Sequence, residues 1–567
     1  MKQLGHSGNK SSLLRRALVR RAGLLALWVG SLVAVPSVHA VDAAAPAASA
    51  VAGACDPYKT YECLDDYLGQ GVWERLVNYY KLEWGQPGAP ADPKAPPGRR
   101  DTWPPAAQST PPMPFTEWPY GGTTPLGVTR TGSVDSPLMT ALANTSFGKW
   151  MGDTGFQLYG WADVGGNVST SKTKPGGNSP AAYLYTPNTV QLDQAVLYLD
   201  RFPDTVQKDH LDWGLRASVI YGENYRYTTS YGLLSDQLLT HNKVNGWDFP
   251  MLYGELFIPQ VAEGLLLRAG RFISLPDIEA QLAPNNYMYT HSMTYTFDNY
   301  TNTGVQSTLA LDKNWMVQLG LTAGTEATLN HLWARENNPY PNVPGTGPGQ
   351  VGYNPLYPGA RFKVDPGSQP SWTLCGRWNA TDGKTDVNAC ADAINSGTYG
   401  YNNLQWFGLT AYHSFSDQWH ISFEAYHLYQ KNVPNALNGD VQAIYAAGGS
   451  PFSSRFMPFN APNLANCGNS TTLTCTAGAT GTVFYLNYSP NPLDNFSIRP
   501  ELYWDPQGQR TGAATHYGNF AVGWQHWFSP QIEVRPEIAY YHSFGGVPAF
   551  NGNSNAGIAP NKTSETI

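Results

Sequence analysis

From Gly155 onward, aliphatic side chains recur at every second position and the ionised ones fall on the opposite face. A period of two is the signature of a β-strand. Phe156 to Val164 alternates an apolar face with a polar or aromatic one that carries Asp163. Trp213, Leu215, Ala217 and Val219 alternate with Gly214, Arg216 and Ser218, and Leu252, Gly254, Leu256 and Ile258 with Tyr253, Glu255 and Phe257. Val317, Leu319 and Leu321 alternate with Gln318, Gly320 and Thr322. Phe496, Ile498, Pro500 and Leu502 alternate with Ser497, Arg499, Glu501 and Tyr503, and Ile532, Val534, Pro536 and Ile538 with Glu533, Arg535 and Glu537. A soluble sandwich alternates too, but an open twisted sheet rarely runs past about ten strands.

Composition selects among the remaining solutions. Only 14% of the residues are charged, where a soluble domain carries about 25%. Beyond the N-terminus there is no apolar run of about 18 residues, which a spanning helix needs. Low charge without a spanning helix leaves a closed barrel, which pairs its backbone between strands and turns one apolar face to lipid. The expected fold is all-β, a transmembrane antiparallel up-and-down β-barrel. A Lys or Arg facing lipid at mid-membrane costs about 2–4 kcal/mol, and a water-filled interior removes that cost.

Residues 1–40 read as an export signal. Lys2, Lys10, Arg15, Arg16, Arg20 and Arg21 precede the apolar stretch Ala22 to Val35, and Val38-His39-Ala40 is a small-residue cleavage site. Cleavage there takes six positive charges from a net of -7, leaving -13. That balance argues against nucleic acid and favours cations in an aqueous lumen. Residues 41–154 form a Pro-rich segment with a short helix around Leu64 to Trp84, and residues 155–567 form the barrel. Six cysteines fall into close pairs, Cys55 with Cys63, Cys375 with Cys390 and Cys467 with Cys475. An even count on an exported chain reads as disulfides.

Short links (Asp312 to Asn314, Thr381 to Lys384, Ser416-Asp417, Ser529-Pro530) alternate with long ones (Asn167 to Asn188, Thr229 to Asp248, Ser274 to Thr301, Thr325 to Pro370, Gln430 to Thr480, Asp505 to His516). Outer-membrane barrels show this asymmetry, with tight periplasmic turns and long outer loops. The links delimit fifteen strands, with Thr385 to Ile394 the weakest. Bacterial single-chain barrels have an even number. Sixteen strands are therefore expected, with the last one missing beyond the polar stretch Asn561 to Ile567. Cys375 and Cys390 lie symmetrically about Asp382-Gly383 and should face each other across that hairpin.

An ordered set of segments carries a family resemblance: Tyr159-Gly160-Trp161-Ala162-Asp163, Gln194 to Leu199, Asp212 to Arg216, Arg268 to Phe272, Asn286 to Ser292, Thr303-Gly304-Val305, and Glu501 to Gly512. The set resembles the outer-membrane β-barrel porin family described as OmpL-like, over Gly155 to Phe544. The resemblance implies a bacterial outer-membrane channel with no agreed substrate.

The pattern turns Asp163, Arg216, Glu255, Arg268, Glu424, Arg499, Glu501, Arg535 and Glu537 toward the lumen. Arg499 with Glu501, and Arg535 with Glu537, are neighbours on one face. Opposed charges across a narrow pore filter solutes by charge; the alternative is local pairing that stiffens the wall. The loop Ser274 to Thr301 holds Asp277, Glu279, Tyr287, Tyr289 and Asp298 and is a candidate constriction. There is no G-x-S-x-G, H-E-x-x-H or P-loop pattern. His413-Ser414 and His542-Ser543 place neighbouring side chains on opposite faces, so an enzyme is not expected. No cofactor or metal is expected. The expected partners are outer-membrane lipid, small hydrophilic solutes or ions, and a second copy of the chain. The competing expectation is a structural or adhesion barrel plugged by residues 41–154.

Overall fold

The computed structural model describes residues 67–83 and most of 136–566; the longest gaps in the latter range are 338–362, 443–463 and 552–561. The signal segment, most of the Pro-rich stretch, and Cys55 and Cys63 lie outside the described residues.

One antiparallel sheet of 18 strand segments dominates. Gly246–Asp248 and Leu252–Ile258 both pair with the strand Asp212–Gly222 and count as one barrel strand. Ile532–Val534 and Glu537–Ser543 likewise share one partner. Sixteen strands remain. They are β1 (Phe156–Gly166), β2 (Val190–Arg201), β3 (Asp212–Gly222), β4 (Leu252–Ile258), β5 (Gly264–Ile273), β6 (Thr301–Ala310), β7 (Trp315–Thr325) and β8 (Ser371–Asn379). Then follow β9 (Thr385–Ile394), β10 (Gln405–Ser414), β11 (Trp419–Pro434), β12 (Thr474–Asn491), β13 (Asp494–Asp505), β14 (Thr515–Ser529), β15 (Glu537–Ser543) and β16 (Thr563–Thr566). Each pairs with its neighbour in sequence, with short and long links alternating as expected.

The polar stretch at the end of the chain is therefore not strand-free. Thr563–Thr566 pair with Ala539 to His542, which corrects the expectation that the sixteenth strand is missing. Among the described residues no ladder joins β16 to β1. Side chains and loops bridge that seam. Asn551 Oδ1 accepts from the backbone of Lys172 and Thr173 at 2.7 and 2.9 Å, and Arg535 pairs with Asp163 at 3.3 Å.

Exposure follows the alternation in the sense a membrane demands. On β13, Leu502 is 63% exposed, with Phe496 and Ile498 also open, while Arg499 is 0% exposed and Glu501 is buried. Trp213, Leu252, Leu319 and Ile538 are exposed, and Arg216, Glu255 and Gln318 are buried. Water on the outside would oppose this arrangement at every strand. Acyl chains on the outside favour it.

The disulfide Cys375–Cys390 joins directly opposed residues of β8 and β9, as the hairpin symmetry predicts. Cys467–Cys475 also forms. Cys475 opens β12 rather than lying within an outer loop, because β11 and β12 run further than the alternation suggests and pair out to Pro434 with Thr474.

Among the described residues, three helices stand ahead of the barrel, α1 (Val72–Glu83), α2 (Pro137–Leu142) and α3 (Ser146–Thr154). Only the first was expected. The signals for the others are local: Ser136 caps α2 with Pro137 behind it, and Thr145 caps α3. Gly155 ends α3 in the left-handed conformation (φ 76°). Arg75, buried on α1, donates to Thr140 O at 2.9 Å. Ser136 Oγ donates to Leu158 O of β1 at 2.7 Å, and Arg201 Nε donates to Thr154 O at 3.1 Å. These contacts set the helices beside the short-link ends of β1 and β2.

Candidate functional site

The loop between β5 and β6, residues 274–300, reaches strands from both ends of the sheet. Tyr289 donates to Asp193 of β2 at 2.7 Å, and Asn299 donates to Asp392 of β9 at 2.6 Å. The backbone N–H of Ile278 donates to Glu424 of β11 at 3.0 Å. Tyr485 of β12 donates to Glu279. Glu501 of β13 accepts from Thr294 Oγ1 at 2.7 Å, and Glu537 of β15 accepts from Thr290 N at 2.8 Å. One loop meets all six strands only if the sheet curls around it. The buried face of the strands is thus an inner face, and the loop lies against it.

Residues of the wall make room. Gly481 of β12 carries no side chain where the turn of helix Met293–Thr296 crosses it; a Cβ there would stand 2.8 Å from Thr294 Cγ2. Gly523 of β14 does the same for Met288.

Arg499 is the hub of the contact. It pairs with Glu537 at 3.2 Å and Glu279 at 3.6 Å, and donates to Thr290 O and Oγ1. Neither couple read from the sequence, Arg499 with Glu501 or Arg535 with Glu537, pairs. Arg499 turns to Glu537 and Glu279, and Arg535 to Asp163 and to Glu533, two residues before it. For Arg499 the reason is geometric: the loop and a strand two places along bring carboxylates closer than Glu501 on its own strand. Glu501 instead serves Thr294 and Asn519. Arg216 binds Asp200, and Arg268 binds Glu255 at 2.8 Å.

Two further inner-face pairs, Arg271–Asp248 and Arg377–Asp386, were not singled out from the sequence. The Arg377 side of the second pair carries a period-two signal, since Trp372 and Leu374 on β8 are exposed while Thr373, Cys375 and Arg377 are buried.

All five candidate loop residues are placed by the structure. Glu279 accepts both from Ser292 and from Tyr485. Burial raises its carboxyl while Arg499 pulls it back. Burial and the neighbouring Asp298 carry Asp277 well above the usual carboxylate range, and burial lifts Asp298 to about 7. Burial depresses His291 to about 3, so it stays neutral. Tyr287 lies over His420 with ring centroids 5.4 Å apart. Tyr183, His291 and Tyr295 stack at 3.7 and 4.9 Å, bringing the first long loop into the same interior.

No curated protein matches the chain. Among solved structures, an anion-selective porin from Comamonas acidovorans is 8% identical, with 72% of this chain and 96% of that one covered and a TM-score of 0.39. The outer-membrane channel DcaP of Acinetobacter baumannii is 9% identical, with 72% and 95% covered and a TM-score of 0.38. OmpT of Vibrio cholerae is 10% identical, with 72% and 94% covered and a TM-score of 0.35. These likenesses are too distant to bear on the assignment. The family description "Putative beta-barrel porin-2, OmpL-like" matches residues 155–565, the same span that carries the strand alternation and the inner-face charges, and the chain belongs to that family of β-barrel porins.

Proposed function

We propose that the protein is a passive outer-membrane channel for small hydrophilic solutes and ions, with its charge filter where the 274–300 loop meets the Arg499, Glu501 and Glu537 wall. The observation that supports this reading is the inverted exposure of β13, with Leu502 outward and Arg499 inward. Asp163, Arg216, Glu255, Arg268, Glu424 and Arg535 line the same inner face in this reading. Asp277, Glu279, Tyr287, Tyr289 and Asp298 narrow it. Most of the inner arginines are matched by carboxylates, and the mature chain is acidic overall, so small cations are the favoured ions. Purified full-length protein in a planar bilayer should give ohmic conductance steps with a cation-selective reversal potential.

A second reading, a plugged structural barrel, draws support from the aromatic fill. Phe297, Tyr300, Trp406, Tyr426 and Tyr503 are all buried in the interior with the Tyr183 stack. Bilayer silence from protein that runs as a folded barrel would favour that reading over conduction.

A further inference from the structure

Two carboxyls of the inner loop and one of the wall converge. Asp277, Asp298 and Glu424 are 4%, 2% and 0% exposed, and each offers an oxygen within 4.8 Å of the other two. Two acidic residues on one loop would be unremarkable. The wall side chain changes the argument. Glu424 is fully buried on β11. Its Oε2 accepts from Ile278 N, which holds the carboxylate against the loop, while its Oε1 has no hydrogen-bond partner. Asp277 Oδ1 and Asp298 Oδ2 likewise meet no N–H or hydroxyl donor, and the two carboxyls lie within hydrogen-bonding reach of each other. Buried carboxylate oxygens without a donor are costly, and more so when the group is charged. By contrast, Glu279, Glu501 and Glu537 each accept a hydrogen bond at both oxygens.

We propose that Asp277, Asp298 and Glu424 bind one hard divalent cation, calcium, which clips the loop to the barrel wall. An all-oxygen carboxylate set selects hard cations over zinc or copper. Calcium–oxygen contacts of about 2.3–2.6 Å span oxygens up to about 5 Å apart, whereas magnesium at about 2.0–2.1 Å needs the set to close to about 4 Å. The charge also fits. Arg510 donates to Phe297 O and Asp298 O and lies close enough to Asp298 to act on its carboxyl. One guanidinium and one divalent ion together match three carboxylates. Glu279 and Glu501 deepen the negative field at Glu424.

The site needs only the docked loop, not a conducting pore, so its test does not read conductance. Full-length protein in detergent, stripped with EDTA, is titrated with calcium chloride alone by calorimetry. One calcium per chain is expected, with at least tenfold weaker binding in Asp298→Asn and in Glu424→Gln. Terbium serves as a second probe on the unmodified chain. Tyr295, which senses the charge of Asp277, should sensitise its emission, and a large excess of calcium should displace the terbium and quench it. If a variant does not fold, the terbium result alone decides. Absence of saturable calcium binding, or unchanged affinity in either folded variant, would overturn the site and leave a proton shared between Asp277 and Asp298 as the remaining account of the cluster.

Discussion

Two long loops of this barrel are held in place by different physics. The loop between β5 and β6 turns inward and is fastened by charged side chains and the hydroxyl and backbone donors they bind, with Arg499, Glu501 and Glu537 on the wall and Glu279, Thr290 and Thr294 on the loop. The connection between β11 and β12 is fastened by the Cys467–Cys475 disulfide and by Asn435. The Asn435 amide donates to Asn469 O and Thr472 O at 2.7 Å each. The first arrangement needs a partner from distant strands. The second is made largely within its own hairpin, with Asn466 N also donating to Gln507 O of the next loop at 2.8 Å. An interior loop can spend buried charge on orientation because the wall returns it, while an outer loop has water at hand and gains more from a covalent staple.

The sharpest way to break this contrast is Arg499→Ala. It leaves Glu279 and Glu537 facing each other in a buried site, and breaking such a network costs about 3–5 kcal/mol. The loss should appear as a lower urea midpoint for the folded, heat-modifiable band. A loss below about 1 kcal/mol would mean that the loop holds its place without the arginine. The paired change Cys467→Ser with Cys475→Ser should cost less. Closing a loop of 8 residues is worth about 2.5 kcal/mol in the chain-entropy model. Single-channel conductance should stay the same, since the disulfide packs in a cluster of its own with Tyr399, Val433, Ala465 and Ala477. A changed conductance would put the two loops in one mechanical unit. The smallest effect is expected from Glu501→Gln and Glu537→Gln. One charge seen through water at about 8 Å is worth about 0.5 kcal/mol, so the cation-to-anion permeability ratio should fall roughly twofold. It is read from the reversal potential in a salt gradient. No shift in either variant would place both side chains outside the conduction path.

The strands were the most legible part of the chain. Alternation, read with the links, located fifteen of the sixteen barrel strands because each side chain reports its own environment, lipid or interior, without reference to any distant residue; the sixteenth, Thr563–Thr566, is polar and gave no such signal. The weakest of these, Thr385 to Ile394, is a full strand whose register with β8 is fixed by Cys375 opposite Cys390. The helices α2 and α3 carried cap signals at Ser136, Thr145 and Gly155 that a search for apolar periodicity passes over, since these helices are too short to show one. Arg271, Arg377 and Asp386 escaped notice as inner-face pairs because a single ionised residue in a strand looks the same whether or not its partner exists.

Sequence alone determined the partition of each strand into a lipid face and an inner face, because that choice is made residue by residue through desolvation. It also determined which cysteines could meet, because their hairpins are local. Only the tertiary structure decided that the 274–300 loop lies inside, that Arg499 takes Glu537 and Glu279 rather than Glu501, and that Asp277 and Asp298 meet Glu424. Apart from Arg499 with Glu537, 38 positions apart, those contacts join the loop to residues more than a hundred positions away, and they exist only once the sheet has curled around the loop.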